Sequence, residues 1–287
     1  MKAVVFLVLA AVAYARNVEP LAPVEPTDEP LSVYGYIQDY AIPLAEEIRK
    51  AEEQLSQERI VGGSPSNLGE FPYQAGLLAE YEGISGTGVC GGSLVSANRL
   101  TTAAHCWFDG RNQASQLTVV LGSVLLFSGG NRIQTSQVVM HPDWRPNIIR
   151  NDVAVIYLPI NVAFTAELNQ NFPGARAVAS GFGLTRNSGS ITATQSLSHV
   201  NLNIITNAAC RISFPLNLHS TNICTSGFGG TSTCRGDSGG PLVVTSNNRR
   251  IMVGIVSFGS GLGCSAGLPA VYARVTSFMD FFNQHIF

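Results

Sequence analysis

Three short patterns hold the residue types that nucleophilic catalysis needs: Thr102-Ala103-Ala104-His105-Cys106, then Asn151-Asp152-Val153-Ala154-Val155, then Gly236-Asp237-Ser238-Gly239-Gly240-Pro241. A serine hydroxyl is a poor nucleophile until a base within hydrogen-bond reach takes its proton. Histidine titrates near neutrality and suits that task, and a buried carboxylate can fix its tautomer and stabilise the imidazolium. Glycines flanking a serine let backbone amides approach a developing oxyanion. Each pattern alone is weak, because a His before a Cys is commonly structural and a Gly-rich run is commonly just a turn. Together, in this order and with Arg59 directly before Ile60-Val61-Gly62-Gly63, they are poorly explained by chance.

Strands must position these residues. Leu117–Leu121, Val138–Met140, Val153–Leu158, Leu242–Thr245 and Ile251–Phe258 are short, β-branched runs separated by Gly, Asn or Ser. One stretch near the end reads as a helix, with Val275, Phe278, Phe282 and Ile286 on one face behind Thr276 as a cap. The expected class is all-β, a barrel or sandwich arrangement in two halves. With 13% charged residues and a net charge of −2, the 287-residue chain has no basic nucleic-acid footprint.

The first 59 residues differ from the rest. Met1-Lys2, the apolar run Ala3–Ala13 and the small-x-small pattern Ala13-Tyr14-Ala15 read as a secretory signal peptide over residues 1–15, too short to span a bilayer. Residues 16–59 then hold ten of the 19 acidic residues. Pro20, Pro23, Pro26 and Pro30 describe an extended linker. Pro43 to Glu58 turns helical in pattern, with Ile48, Ala51 and Leu55 on one face and Glu46 four before Lys50. This is either a short marginal surface helix or a pro-segment ending at Arg59.

All six cysteines lie beyond residue 89, and an even count in a secreted chain favours disulfides, with fifteen connectivities open. Cys90, Cys106 and His105 could ligate zinc, but no CxxC pair or close His pair completes a tetrahedral set, so no metal is expected. Gly236-x-Ser238-x-Gly240 also fits an α/β-hydrolase elbow followed by Asp280 and His285, yet Pro241-Leu-Val-Val reads as a strand where that fold needs a helix.

The His–Asp–Ser order and the Arg59/Ile60-Val61-Gly62-Gly63 junction resemble a secreted chymotrypsin-fold serine endopeptidase made as a zymogen, most like insect midgut chymotrypsins. The resemblance covers residues 60–287 and implies two antiparallel six-stranded β-barrels with a C-terminal helix. It implies His105 as general base and acid, Asp152 as its orienting partner, Ser238 as nucleophile, and the amides of Gly236 and Ser238 as oxyanion hole. It also implies disulfides Cys90–Cys106, Cys210–Cys224 and Cys234–Cys264. Cutting after Arg59, by an arginine-specific protease, would free the α-amine of Ile60 to pair with Asp237. The leader has no cysteine to tether it, so the pro-segment is expected to leave after the cut.

By the same resemblance, Ser232 lies at the base of the specificity pocket beside Thr233, both uncharged, which disfavours cleavage after Lys or Arg. Ser257-Phe258-Gly259 forms one wall, Gly259 leaves the mouth open, and Ala270 stands at the other wall. The expected preference is for large apolar or aromatic residues. An elastase-like preference and a catalytically inactive binding homologue are the alternatives. Arg235 is placed at the pocket lip.

Expected partners are protein or peptide substrates, the activating protease and protein protease inhibitors, with no nucleic acid, no membrane, no cofactor and a monomeric state. The expected setting is extracellular, the gut lumen. Both lysines, Lys2 and Lys50, precede Ile60, and the rest of the chain carries only arginine as a strong base. Arginine keeps its charge at a pH where lysine loses it, which points to an alkaline working medium.

Overall fold

The computed structural model describes residues 31–54, 64–162, 177–185, 196–246 and 249–286. The signal-peptide stretch, Leu55, Glu58 and the Arg59–Ile60 junction lie outside the described residues. After β1 (Ser64–Pro65), the strands of one sheet follow in sequence: β2 (Gln74–Tyr81), β3 (Ile84–Ser96), β4 (Arg99–Thr102), β5 (Ala114–Leu121), β6 (Asn131–Thr135), β7 (Val138–Met140) and β8 (Ala154–Tyr157). The second half supplies β9 (Ala177–Gly181), β10 (Ser198–Leu202), β11 (Ile204–Ile205), β12 (Asn222–Thr225), β13 (Pro241–Ser246), β14 (Arg249–Phe258) and β15 (Ala270–Arg274).

Hydrogen bonding orders the first sheet β6-β5-β2-β3-β4-β8-β7, and the second β1-β10-β9-β13-β14-β15-β12-β11. Among the described residues every strand pairing is antiparallel. The two sheets are barrel-like, and register shifts bend β2, β3, β13 and β14 in the way that curling a sheet requires. The five strand runs expected from the sequence coincide with β5, β7, β8, β13 and β14.

The C-terminal helix forms with Phe278 and Phe282 buried, but Thr276 does not cap it. Val275–Phe278 makes a 3-10 turn first, and the α-helix runs Met279–His285 from Phe278. His285 accepts or donates at Nδ1 to the Tyr157 hydroxyl at 2.8 Å and its carbonyl accepts from Arg99. That ties it to β8 rather than to Ser238, and strand β13 follows Ser238 directly, so the hydrolase-elbow arrangement is absent.

The segment before the barrels is not a marginal surface helix. A π-helical turn (Ile37–Ala41) runs into α1 (Ile42–Gln54), and Ile37, Ala41, Leu44, Ala45, Ile48 and Ala51 are all buried. Pro43 follows the π-helical turn inside this continuous run and donates no helical hydrogen bond. The wider turn before it, in which Ile42 N–H bonds back to the Ile37 carbonyl, is the irregularity that such a gap in the ladder calls for. Leu44, Ala45 and Ile48 share one cluster with Leu78, Val89 and Leu126 of the first sheet and its loops, so the helix completes a core. Its outer face carries the Arg49–Glu46 and Arg49–Glu53 ion pairs, and Lys50 to Glu46 at 3.4 Å.

Candidate active site

His105 lies in a 3-10 turn, Ala104–Cys106, that follows β4. The Cys90–Cys106 disulfide fastens that turn to β3. With the two sulfurs bonded to each other, the Cys90–His105–Cys106 trio offers no thiolate to a metal. Asp152 enters just before β8, after a loop in which Ile149 (φ 49°) and Asn151 (φ 59°) both take left-handed backbone. Asparagine tolerates that region; for a β-branched isoleucine it is strained, as positions held at a site by their surroundings often are.

The Asp152 carboxylate accepts three hydrogen bonds. The backbone N–H of His105 reaches Oδ1 at 2.9 Å, while His105 Nδ1 at 2.7 Å and the Ser257 hydroxyl at 2.6 Å both reach Oδ2. A carboxylate accepts only, so the proton in the ring contact is on Nδ1 and the lone pair is left on Nε2. His105 and Asp152 are 0% and 2% exposed, and His105 Nε2 is buried with no hydrogen-bond partner. An oriented imidazole with an unspent lone pair is a base in waiting.

Ser238 stands on a tight turn whose shape glycines permit. Gly236 has φ 92° and Gly239 φ 81°, and a Cβ on Gly239 would fall 2.4 Å from the Gly91 carbonyl oxygen. The Ser238 carbonyl accepts from Gly91 N–H at 2.7 Å, docking the second-sheet turn onto β3 of the first. The serine therefore sits where the two halves meet, alongside His105.

Between the serine and the imidazole lies Tyr36, which precedes α1. Its phenol donates to Ser238 Oγ at 3.1 Å, its ring meets the His105 ring edge-on at 4.6 Å, and Gly236 contributes a backbone hydrogen bond to it. The residue keeps some exposed surface, yet burial of the phenol pushes its pKa up to about 12. No hydrogen bond joins His105 Nε2 to Ser238 in this form of the chain.

Beyond Ser238 a cavity of about 240 Å³ is bounded by Ser232, Thr233, Ser257, Phe258, Gly259 and Pro269, with Tyr36 and Tyr40 on the other side. Among the described residues no carboxylate lines it. The Cys234–Cys264 disulfide joins two of its edges, and Phe258 packs edge-on against Phe214 at 5.5 Å. A Cβ on Gly259 would meet nothing within 4 Å, so the mouth is open there. Ala270 lies just behind Pro269, buried in β15 and paired with Thr225; it does not line the cavity, and Leu268 and Pro269 do. Arg235 stacks over the Tyr40 ring at 4.6 Å. The Cys210–Cys224 disulfide ties α2 (Asn207–Arg211) to β12, and both cysteines belong to the cluster against which Phe258 and Leu31 pack.

Asp237 faces away from Ser238. Its carboxylate accepts from the N–H groups of Gly183 and Cys234, each at 2.8 Å, and a cavity of about 390 Å³ opens beside it. The cavity leaves part of the residue reachable, but the carboxyl is deep in the protein and burial pushes its pKa up to about 6. Among the described residues no ion pair reaches it.

The structure thus brings His105, Asp152, Ser238, Ser257 and Gly236 to one point and groups Ser232, Thr233, Phe258 and Gly259 next to it. Tyr36 and Tyr40 were missed by the sequence reading. Their signal was two aromatics, with Tyr34, in a stretch otherwise composed like a solvated linker.

Comparison with known proteins agrees with this geometry. A family model described as Trypsin matches residues 60–282. A collagenase of Hypoderma lineatum is 34% identical over 246 residues, covering 81% of this chain and 89% of the relative. Trypsin alpha of Drosophila melanogaster is 37% identical over 227 residues (76% and 83%), and brachyurin of Leptuca pugilator 36% over 231 residues (77% and 96%). A solved HL collagenase structure superposes with a TM-score of 0.66 at 34% identity, covering 78% of this chain and 97% of that one. Family match, shared fold and these identities agree: the chain belongs to the trypsin family of serine endopeptidases.

Proposed function

We propose that the protein is a secreted digestive endopeptidase, synthesised with a signal peptide (1–15) and a pro-segment (16–59), that cleaves after large apolar or aromatic residues once cut between Arg59 and Ile60. The observation that carries the chemistry is the buried 2.7 Å contact between His105 Nδ1 and Asp152 Oδ2, which leaves the Nε2 lone pair unpaired on a ring that shares its Tyr36 neighbour with Ser238. In the processed form Nε2 takes the Ser238 proton as Oγ attacks the scissile carbonyl carbon, and the amides of Gly236 and Ser238 receive the oxyanion. The imidazolium then gives its proton to the leaving amine, and water repeats the sequence on the acyl-enzyme.

The α-amine freed at Ile60 enters the cavity beside Asp237 and pairs with its carboxylate, which otherwise carries a desolvation cost with only two amides to offset it. The uncharged Ser232 and Thr233 and the open Gly259 mouth favour an apolar side chain over Lys or Arg. The test is cleavage profiling of the Arg59-cut protein on a peptide library, with Ser238→Ala as control. Cuts after Phe, Tyr, Leu and Met are expected. Cuts confined to Arg and Lys, or to Ala and Val, would overturn the specificity, and failure of a serine-directed phosphonate to label Ser238 would overturn the activity.

A further inference from the structure

The residues that obstruct Ser238 belong to a segment held across the whole cleft by contacts that the activating cut does not touch. At its start, Leu31 N–H donates to Asn217 Oδ1 at 2.9 Å and its carbonyl accepts from Asn217 Nδ2 at 2.8 Å. The Val33 N–H reaches the Pro146 carbonyl, and its side chain joins Ala104, Trp144 and Ile149. Ile37 N–H donates to Asp109 Oδ2 at 3.0 Å, and Ile37 is fully buried in the first-sheet core. At the far end the Glu52 carboxylate accepts from the N–H groups of Leu126 and Phe127. All of these lie N-terminal to residue 55, and the chain carries no cysteine before Cys90.

From these contacts we propose that the cleft is a receptor for a helical, non-substrate peptide, residues 31–54 of the same chain, which stays bound after the Arg59–Ile60 bond is cut and inhibits the enzyme in trans. The inference rests on the serine-peptidase reading and runs against the expectation that an untethered pro-segment leaves. Two features make the segment a ligand rather than a substrate. What faces Ser238 Oγ and the Gly236 amide is a phenol, so no carbonyl carbon is presented for attack. After Ile37, whose N–H is taken by Asp109, the backbone is helical and amides such as those of Asp39 and Ile42 bond to carbonyls of the segment itself, whereas a peptidase of this kind reads an extended strand along a wall such as Ser257–Gly259. No hydrogen bond links the backbone of that wall to the described segment. Seated this way, the segment walls one side of the specificity cavity and takes up the nucleophile without being consumed.

The test uses the full chain cut at Arg59 and, separately, synthetic peptide 31–54 titrated into the cut domain after the fragment has been removed. The fragment is expected to co-elute with the domain on native size-exclusion chromatography, and activity on a small chromogenic substrate is expected to rise on dilution. Fluorescently labelled peptide 31–54 should bind by polarisation and inhibit competitively. Tyr36→Phe in the peptide should weaken binding about tenfold, for two lost hydrogen bonds, and Ile48→Asp about 100-fold or more, for a charge placed in the core. Since the changes are made in the peptide, the enzyme's own folding is unaffected. Immediate separation of the fragment with full activity would overturn the proposal, as would binding that does not compete with substrate. If the peptide binds but the domain cleaves nothing, the peptidase reading fails while the docking site stands.

Discussion

Asp237 makes the precursor's stability depend on pH in a way the activated enzyme should reverse. Burial raises its carboxyl from the ordinary 3.8 to about 6, with the Gly183 and Cys234 amides opposing that rise. A carboxyl raised in the folded state binds its proton more tightly there than in the unfolded chain. The folded precursor is therefore not penalised below the ordinary value, loses stability as pH climbs from about 4 to 6, and stays at the lower level above. The gap between 3.8 and about 6 corresponds to at most about 3 kcal/mol at 1.36 kcal/mol per pH unit, reduced by water in the adjoining cavity. Equilibrium urea unfolding of the disulfide-intact precursor, compared with Asp237→Asn at each pH, isolates this group. The wild type should lose about 2–3 kcal/mol relative to the variant between pH 3.5 and 7. After the Arg59 cut the sign should change, the wild type gaining near neutrality from the amine pair and losing that gain as pH rises through the amine's raised pKa. A wild-type-to-variant difference in the precursor that stays flat from pH 3.5 to 7 would refute the reasoning.

Ser257→Ala removes one of three donors to Asp152 and should lower kcat about tenfold while leaving KM nearly unchanged, read in steady-state kinetics; an effect on KM alone would place Ser257 in substrate binding only. Ser232→Asp puts a carboxylate on a cavity boundary that has none, and the ratio of cleavage after Arg to cleavage after Phe should rise on the order of 100-fold, the worth of a close charge pair, on paired chromogenic substrates. Binding of peptide 31–54 should hold steady to pH 10 and then weaken about tenfold per pH unit toward 12, because the free phenol ionises near 10 and the bound one only at about 12. The Tyr36→Phe peptide should lack that alkaline limb.

Where the physics was local, the residues were legible. β5, β8 and β14 read as strands because β-branched runs between Gly and Asn breaks leave the backbone few other choices. The pocket wall at Ala270 shows how a position fixed by resemblance can miss by one residue: strand pairing with Thr225 turns it into the core and leaves Pro269 at the surface of the cavity. The Thr276 cap failed because a 3-10 turn, whose tighter winding the 3.6-residue period does not describe, precedes the helix. The pro-segment was half legible. Its period continues backward as Ile37, Ala41, Leu44, Ile48 and Ala51, but Pro43 interrupts the pattern to the eye and hides that it belongs to one buried face. That this face is matched by Leu78, Val89 and Leu126 is a non-local fact, set by chain closure over distances no window of sequence spans.

On the proposed reading two obstacles keep the precursor inert, and they act on different atoms. Removing the segment frees Ser238 but supplies no cation to Asp237; cutting at Arg59 supplies the cation but severs none of the contacts from Leu31 to Glu52. While the chain is intact, the tether holds the segment at an effective concentration of the order of millimolar, so even a micromolar intrinsic affinity keeps the cleft about 99.9% filled. After the cut that concentration falls to the concentration of the enzyme itself. Protein stored at about 100 µM would then remain mostly blocked, whereas the same protein diluted to about 10 nM would be mostly free, at an affinity of about 1 µM. On this arithmetic the cut arms the enzyme and dilution into its working medium releases it, which requires a segment that binds by docking rather than by disulfide.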